Sequence, residues 1–201
     1  MSRLGKTGSA EVLSDQDLKI VLRVITSSDA RGCVRNVAIV ILSHYLALRA
    51  KELASLKVRD VYDGKKIVDV LRLLASYTKG KKHRDVSLTN RKVRDALENL
   101  ITELKHQDGE RFSLDSALFR SQKRGHFSAN TMVQLLKNIY VSAGFKNASS
   151  HSGRRSLITK LADKGVSVND IRLIAGHSSI ATTQRYIQEN PNKIANIMGA
   201  I

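Results

Sequence analysis

Apolar residues recur along most of the chain at the three-to-four-residue spacing of helices, interrupted by one stretch with a two-residue beat. Ser14 precedes Asp15, Gln16 and Asp17, an N-cap with acids in the first turn, and Leu18, Val21, Leu22 and Ile25 follow on one helical face. A second helix is expected from Cys33 to Leu46, with Val34, Val37, Ile41 and Tyr45 on one face, and a short third from Ala50 to Leu56. The beat then changes. Val58 to Tyr62 reads as a strand, Asp63-Gly64 as a hairpin turn, and Lys66 to Val70 as the returning strand. Leu71 to Tyr77 and His83 to Leu88 are further strand candidates around Lys79-Gly80. Helical spacing resumes from Asn90 to His106, and from Ser128 to Val141 before Gly144. It returns from His151 to Asp163 before Gly165, and again after Ser167, whose spacing to Asp170 is that of a capping box. Two short helices should flank Pro191, and residues 1–12 read as a flexible segment. The fold class expected is mainly α with a small antiparallel β-sheet, an α+β domain over residues 13–201.

Charge changes this picture most. In 201 residues, 34 Lys and Arg face 18 Asp and Glu, a formal net charge of +16. Such an excess repels itself unless a polyanion is close, and nucleic acid is the partner that basic side chains suit best. The single cysteine, Cys33, rules out an internal disulfide and a cysteine-based zinc site. No signal-peptide pattern is present, and no apolar run approaches the roughly 20 residues of a membrane span. A cytoplasmic, DNA-associated protein is expected.

Five segments carry candidate chemistry. Arg49 stands where one helix ends and the next begins; Glu52, three residues on, can brace its guanidinium while the free edge faces an anion. A surface salt bridge is the plainer account of that pair. Lys79, Lys81, Lys82 and Arg84 crowd a hairpin tip that can reach DNA, or can simply be a solvated basic turn. His151 and Arg154, at positions i and i+3, can meet on one phosphate, whereas Arg155 points elsewhere, towards a structural partner or the DNA backbone. Gly176 permits a sharp break that leaves His177 at a helix boundary. Tyr186, nine residues later, lies on the next short helix, where a tyrosine alone would be assigned to packing.

In combination, the order Arg, Lys, His-x-x-Arg, Gly-His, Tyr resembles the tyrosine recombinases, the phage integrase family, from Leu13 to Ile197. The resemblance implies that family's catalytic-domain fold. It implies that Arg49 and Arg154 grip a scissile phosphate, that Lys79 is the hairpin lysine, that His151 and His177 are the two histidines, that Tyr186 is the nucleophile and that Glu52 supports Arg49. Lys81, Lys82, Arg84 and Arg155 are then DNA contacts. The chain departs from the family pattern at Ala47-Leu48, where Thr-Gly is common, at Arg155, where histidine is frequent, and at Ala175, where leucine is usual.

The implied reaction is site-specific recombination through a 3′-phosphotyrosine link and a free 5′ hydroxyl, without ATP, cofactor or metal, the arginines supplying the positive charge. A phenol with a pKa near 10 needs those cations and a proton acceptor to attack at neutral pH; His151 is placed to move its proton, and Lys79 to protonate the leaving oxygen. His177 is suited to hydrogen-bonding a phosphate oxygen. Partners implied are double-stranded DNA and other protomers, a tetramer on DNA. The apolar tail 192–201 can dock on a neighbour or on its own domain, and no separate N-terminal DNA-clamping domain is expected in this chain. A non-catalytic DNA-binding regulator and a type IB topoisomerase are the competing readings.

Overall fold

The computed structural model describes residues 10–27, 32–77, 83–122 and 125–188, with only the backbone described at 186–188. Lys79, Lys81, Lys82, the segment around Pro191 and the tail 192–201 lie outside the described residues, as do residues 1–9 of the N-terminal segment.

Helix α1 spans Asp15–Ser27. Ser14 Oγ accepts from the Asp17 N–H at 3.1 Å, and the Asp17 carboxylate accepts from the Ser14 N–H at 2.8 Å, so each satisfies a donor the helix leaves open. Its buried residues are Leu18, Val21 and Ile25. Helix α2, Cys33–Leu46, runs through the middle of the molecule and packs against α1 and three helices introduced below. Burial around α2 extends beyond the face that carries Val34, Val37, Ile41 and Tyr45. Val34, Val37 and Tyr45 are half-buried, whereas every residue from Ala38 to His44 is buried. A helix enclosed on all sides loses the amphipathic stripe from which a buried face is read. Cys33 is half-buried, its thiol donating to the Ile25 carbonyl at 3.4 Å.

Helix α3 is Ala50–Ser55, and α4 is a single turn, Val58–Val61, where a strand was expected. Val58 and Val61 are both fully buried, and their spacing of three puts them on one side of a helical turn. Asp60 fixes that turn by accepting from the Lys57 N–H at 2.8 Å. Asp63-Gly64 does form the expected turn, with Asp63 Oδ1 accepting from the Lys65 and Lys66 N–H groups at 2.8 Å each. The flanking strands shrink to one bridge, Tyr62 to Ile67. The sheet proper has two antiparallel strands, β1 (Val70–Leu73) and β2 (Arg84–Ser87), with Leu73 opposite Arg84 and Leu71 opposite Val86. Leu71 and Leu73 face the core.

Helix α5, Arg91–Asp108, is capped by Asn90, which accepts from the Lys92 and Val93 N–H groups, and it lies along α2. Helix α6, Ala129–Ser142, is capped by Ser128 and packs on α3. Helix α7 (Ser152–Asp163) crosses α2, and α8 (Val168–Ala175) and α9 (Ile180–Gln188) close the described chain. One apolar core fills the space between α1 and α6. A smaller one, Ile158, Ile171 and Ala175, joins α7 to α8. Among the described residues, no helix is long and apolar enough to cross a membrane.

Candidate active site

The site forms where the chain leaves α2. Ala47 adopts a left-handed conformation (φ 52°), which costs an L-residue roughly 1–2 kcal/mol, and its carbonyl accepts from Arg154 Nη1 at 2.7 Å. Arg49 is then the N-cap of α3. The carboxylate of Glu52, fully buried one turn into that helix, accepts from the Arg49 backbone N–H at 2.9 Å and from Arg49 Nη1 at 2.8 Å. Glu52 is therefore both a helix cap and the brace of a guanidinium that remains 24% exposed. Its second oxygen also accepts from Arg84 Nη2 at 3.0 Å.

Helix α7 brings the second cluster. Gly153 lies so close to α2 that a Cβ there would stand 2.7 Å from Ser43 Oγ and 3.1 Å from the His44 nitrogen. That close approach seats Arg154, 3% exposed, beneath Ala47. His151 is the N-cap of α7, with part of its surface open to solvent and its ring turned towards Arg154 and Arg49. Withdrawal of its ring from water, with the charges of Arg154 and Arg49, lowers its pKa. Arg155 is 7% exposed and turned into the body of the protein.

The third cluster sits at the end of α8. Gly176, at φ 63°, makes a left-handed helix stop, with its own N–H bonded to the Leu173 carbonyl and that of His177 to the Arg172 carbonyl, both at 3.0 Å. The carbonyls of this turn face the arginines: Arg49 Nη2 donates to Gly176 O at 2.9 Å and Arg84 Nη1 to Ile174 O at 2.5 Å. His177 is 7% exposed, and its Nδ1 shares a hydrogen bond of 2.8 Å with Thr183 Oγ1 of α9. Whichever partner donates, that bond fixes the plane of the ring. Burial first, then Arg154, Arg49 and Arg84, hold the His177 pKa down to about 4, so the imidazole is neutral at pH 7.

Arg49, Glu52, His151, Arg154 and His177 thus share one electrostatic neighbourhood, assembled from three separate parts of the chain. Arg84, expected on an exposed hairpin tip, joins them from the inside. Its side chain is only 10% exposed, because β2 turns it under the α8 stop and Glu52 draws it inward. Position 186 follows Thr183 by three residues on α9. Sequence reasoning missed Thr183, which is fully buried against His177; its one available signal was its place in the run Thr182-Thr183 just before Tyr186.

The cluster therefore sets two imidazoles beside three guanidiniums, with the Glu52 carboxylate pairing two of them. The model of the phage integrase family matches residues 12–193, and the chain belongs to that family. It is similar to the tyrosine recombinase XerA of Pyrococcus furiosus, at 26% identity over 93% of this chain and 64% of that protein. It is similar also to the tyrosine recombinase XerD of Corynebacterium glutamicum, at 31% identity over 88% of this chain and 56% of that one. Its fold matches the crystal structure of XerA recombinase with a TM-score of 0.73 at 23% identity, covering 100% of this chain and 66% of that chain. It matches the Tn1549 transposon integrase in complex with transposon right end DNA with a TM-score of 0.69 at 18% identity, covering 98% and 68%. The chain spans roughly half to two thirds of the length of these curated relatives.

Proposed function

We propose that this chain is the catalytic part of a DNA strand-breaking and rejoining enzyme, a site-specific recombinase or integrase that works through a 3′-phosphotyrosine at Tyr186. The observation that carries the reading is the pair of arginines fixed on protein carbonyls and on Glu52 within one neighbourhood that also holds two histidines. Membership of the phage integrase family supports it, and DNA-bound integrases and recombinases adopt the same fold.

In this reading the side chains divide the work. Arg49 and Arg154 hold the non-bridging oxygens of the scissile phosphate. Their charge stabilises the added negative charge of the pentacoordinate transition state, an effect worth about 3 kcal/mol for each such donor. The same field favours phenolate character in Tyr186, whose hydroxyl otherwise ionises near pH 10. His151, at the open rim with a lowered pKa, is unprotonated at neutral pH and takes the phenolic proton. His177, neutral and oriented by Thr183, donates a hydrogen bond to a phosphate oxygen. Lys79 protonates the departing 5′ oxygen. Phosphorus–oxygen bond energy is retained in the tyrosyl ester, so a 5′ hydroxyl from a second strand reverses the step without ATP. Lys81 and Lys82 contact the DNA backbone. Other protomers complete a tetramer on DNA, and the protein works in the cytoplasm of a prokaryote, encoded by its chromosome, a mobile element or a phage.

A pool of nicked duplexes made from the DNA flanking its own gene tests this. Wild-type protein should yield a covalent protein–DNA adduct on a denaturing gel, and Tyr186→Phe should bind the same DNA without forming it. Binding without any adduct by the wild type would favour a non-catalytic regulator. Adduct with plasmid relaxation, but never strand exchange, would favour a topoisomerase.

A further inference from the structure

We infer that Arg84 is a positioning residue, which ties the stop at the end of α8 to Glu52 and so sets where His177 and the start of α9 stand. The inference rests on the proposed reading of the site for its catalytic meaning, while the clamp itself is a matter of geometry. Three contacts make it. Nη2 donates to Glu52 Oε2 at 3.0 Å, Nη1 donates to the Ile174 carbonyl at 2.5 Å, and the side chain lies against Gly176. A Cβ on Gly176 would stand 2.7 Å from Arg84 Cδ and 3.0 Å from its Nε. Arg49 makes the matching arm: it bonds Glu52 Oε1 with one nitrogen and the Gly176 carbonyl with another. Each oxygen of one buried carboxylate thus takes an arginine, and each arginine takes a carbonyl of the same turn.

The alternative role, a phosphate contact at the hairpin tip, asks for an accessible guanidinium. Arg84 offers little: its side chain is 10% exposed, and two of its nitrogens are committed to α3 and α8. Its Nε is buried without a hydrogen-bond partner, a cost accepted at a residue whose place is set by other contacts. Lysine cannot substitute, because an ammonium is a point charge and cannot span a carboxylate and a carbonyl as a planar fork does. Displacement of a catalytic turn by about 1 Å can cost on the order of 100-fold in rate. Arg84→Lys should therefore keep DNA affinity and lose at least about 10-fold in single-turnover cleavage.

The test combines three measurements on the full chain. Affinity for a random-sequence duplex, read against salt concentration, should show the same slope in Arg84→Lys and Arg84→Ala as in the wild type. A slope reduced by about one phosphate contact in Arg84→Ala overturns the inference. The His177 ring resonances, followed by NMR at neutral pH, should move in both Arg84→Ala and Arg84→Lys, because the turn that carries the ring loses the fork that ties it to Glu52. Unchanged His177 signals in both variants also overturn it. Gly176→Ala should cost less stability when made in Arg84→Ala than in the wild type, because the steric part of its strain is gone; strictly additive costs contradict the contact. Salt slope, NMR and the mutant cycle need no catalysis, so a protein that never forms a DNA adduct would refute the proposed function and leave this inference to be decided on its own.

Discussion

Replacing Glu52 by Gln is the sharpest probe of how the site is held. The side chain keeps its shape, but one carboxylate oxygen becomes an NH₂ group that can only donate. Glu52 accepts from Arg49 Nη1, the Arg49 N–H and Arg84 Nη2, so wherever the new NH₂ points it meets a donor. Loss of one partner of a fully buried ion pair costs about 3–5 kcal/mol. Arg49 is 24% exposed and water will relieve part of that, which puts the expected loss near the lower end, about 3 kcal/mol. In a domain of this size each kcal/mol lowers Tm by about 2–4 °C, so Tm should fall by roughly 6–12 °C. Urea unfolding followed by circular dichroism measures the free-energy loss and thermal melts the change in Tm, with Arg72→Ala as the control. Arg72 and Asp85 are 71% and 52% exposed, so losing that pair should leave stability close to that of the wild type. A Glu52→Gln loss no larger than that of the control would refute the claim that Glu52 anchors both arginines.

Gly153→Ala should destabilise by about 1–3 kcal/mol despite alanine's better helix propensity, because the new methyl meets Ser43 Oγ and the α2 backbone; a raised Tm would contradict that close approach. Arg154→Ala should lower single-turnover cleavage by about 100–1,000-fold, whereas Arg155→Ala should act chiefly on stability; equal rate losses in the folded variants would show the phosphate ligands to be misassigned. His44 and His177 both have pKa values lowered to about 4 from 6.5 by burial first. The unfolded chain therefore binds more protons between those values, and stability is full above about pH 6.5 and falls as pH drops towards 4. Urea midpoints between pH 5.5 and 6.5, above most carboxylate titration, should decline with acid, and a flat profile would mean that neither ring is held neutral.

Much of this is legible in the sequence. Ser14 with Asp17, Ser128, and Ser167 with Asp170 mark helix starts through contacts only two or three residues long, and such local chemistry survives folding unchanged. The Arg49–Glu52 spacing was legible for the same reason. Val58–Val61 was misread because four residues satisfy a strand and a helical turn equally well, and burial of both valines on one side decided it. Arg84 was misplaced because its partners are far away in the chain: Glu52 lies 32 residues before it, and Ile174 lies 90 after. Local sequence recorded only a basic turn. Thr183 escaped for a related reason, since its value lies in facing His177 across the α8–α9 junction. The roles of Tyr186 and Lys79 come from family resemblance; no local pattern singles out either residue.

The central claim is a covalent bond to one named oxygen. Protein trapped on a nicked duplex drawn from the DNA flanking its gene should be digested with nuclease and trypsin, and its peptides weighed. The account predicts a nucleotide joined through its 3′ phosphate to the peptide that begins at Tyr186, after cleavage at Arg185, and no such peptide from Tyr186→Phe. A nucleotide carried by any other residue, or an adduct that persists in Tyr186→Phe, would contradict it.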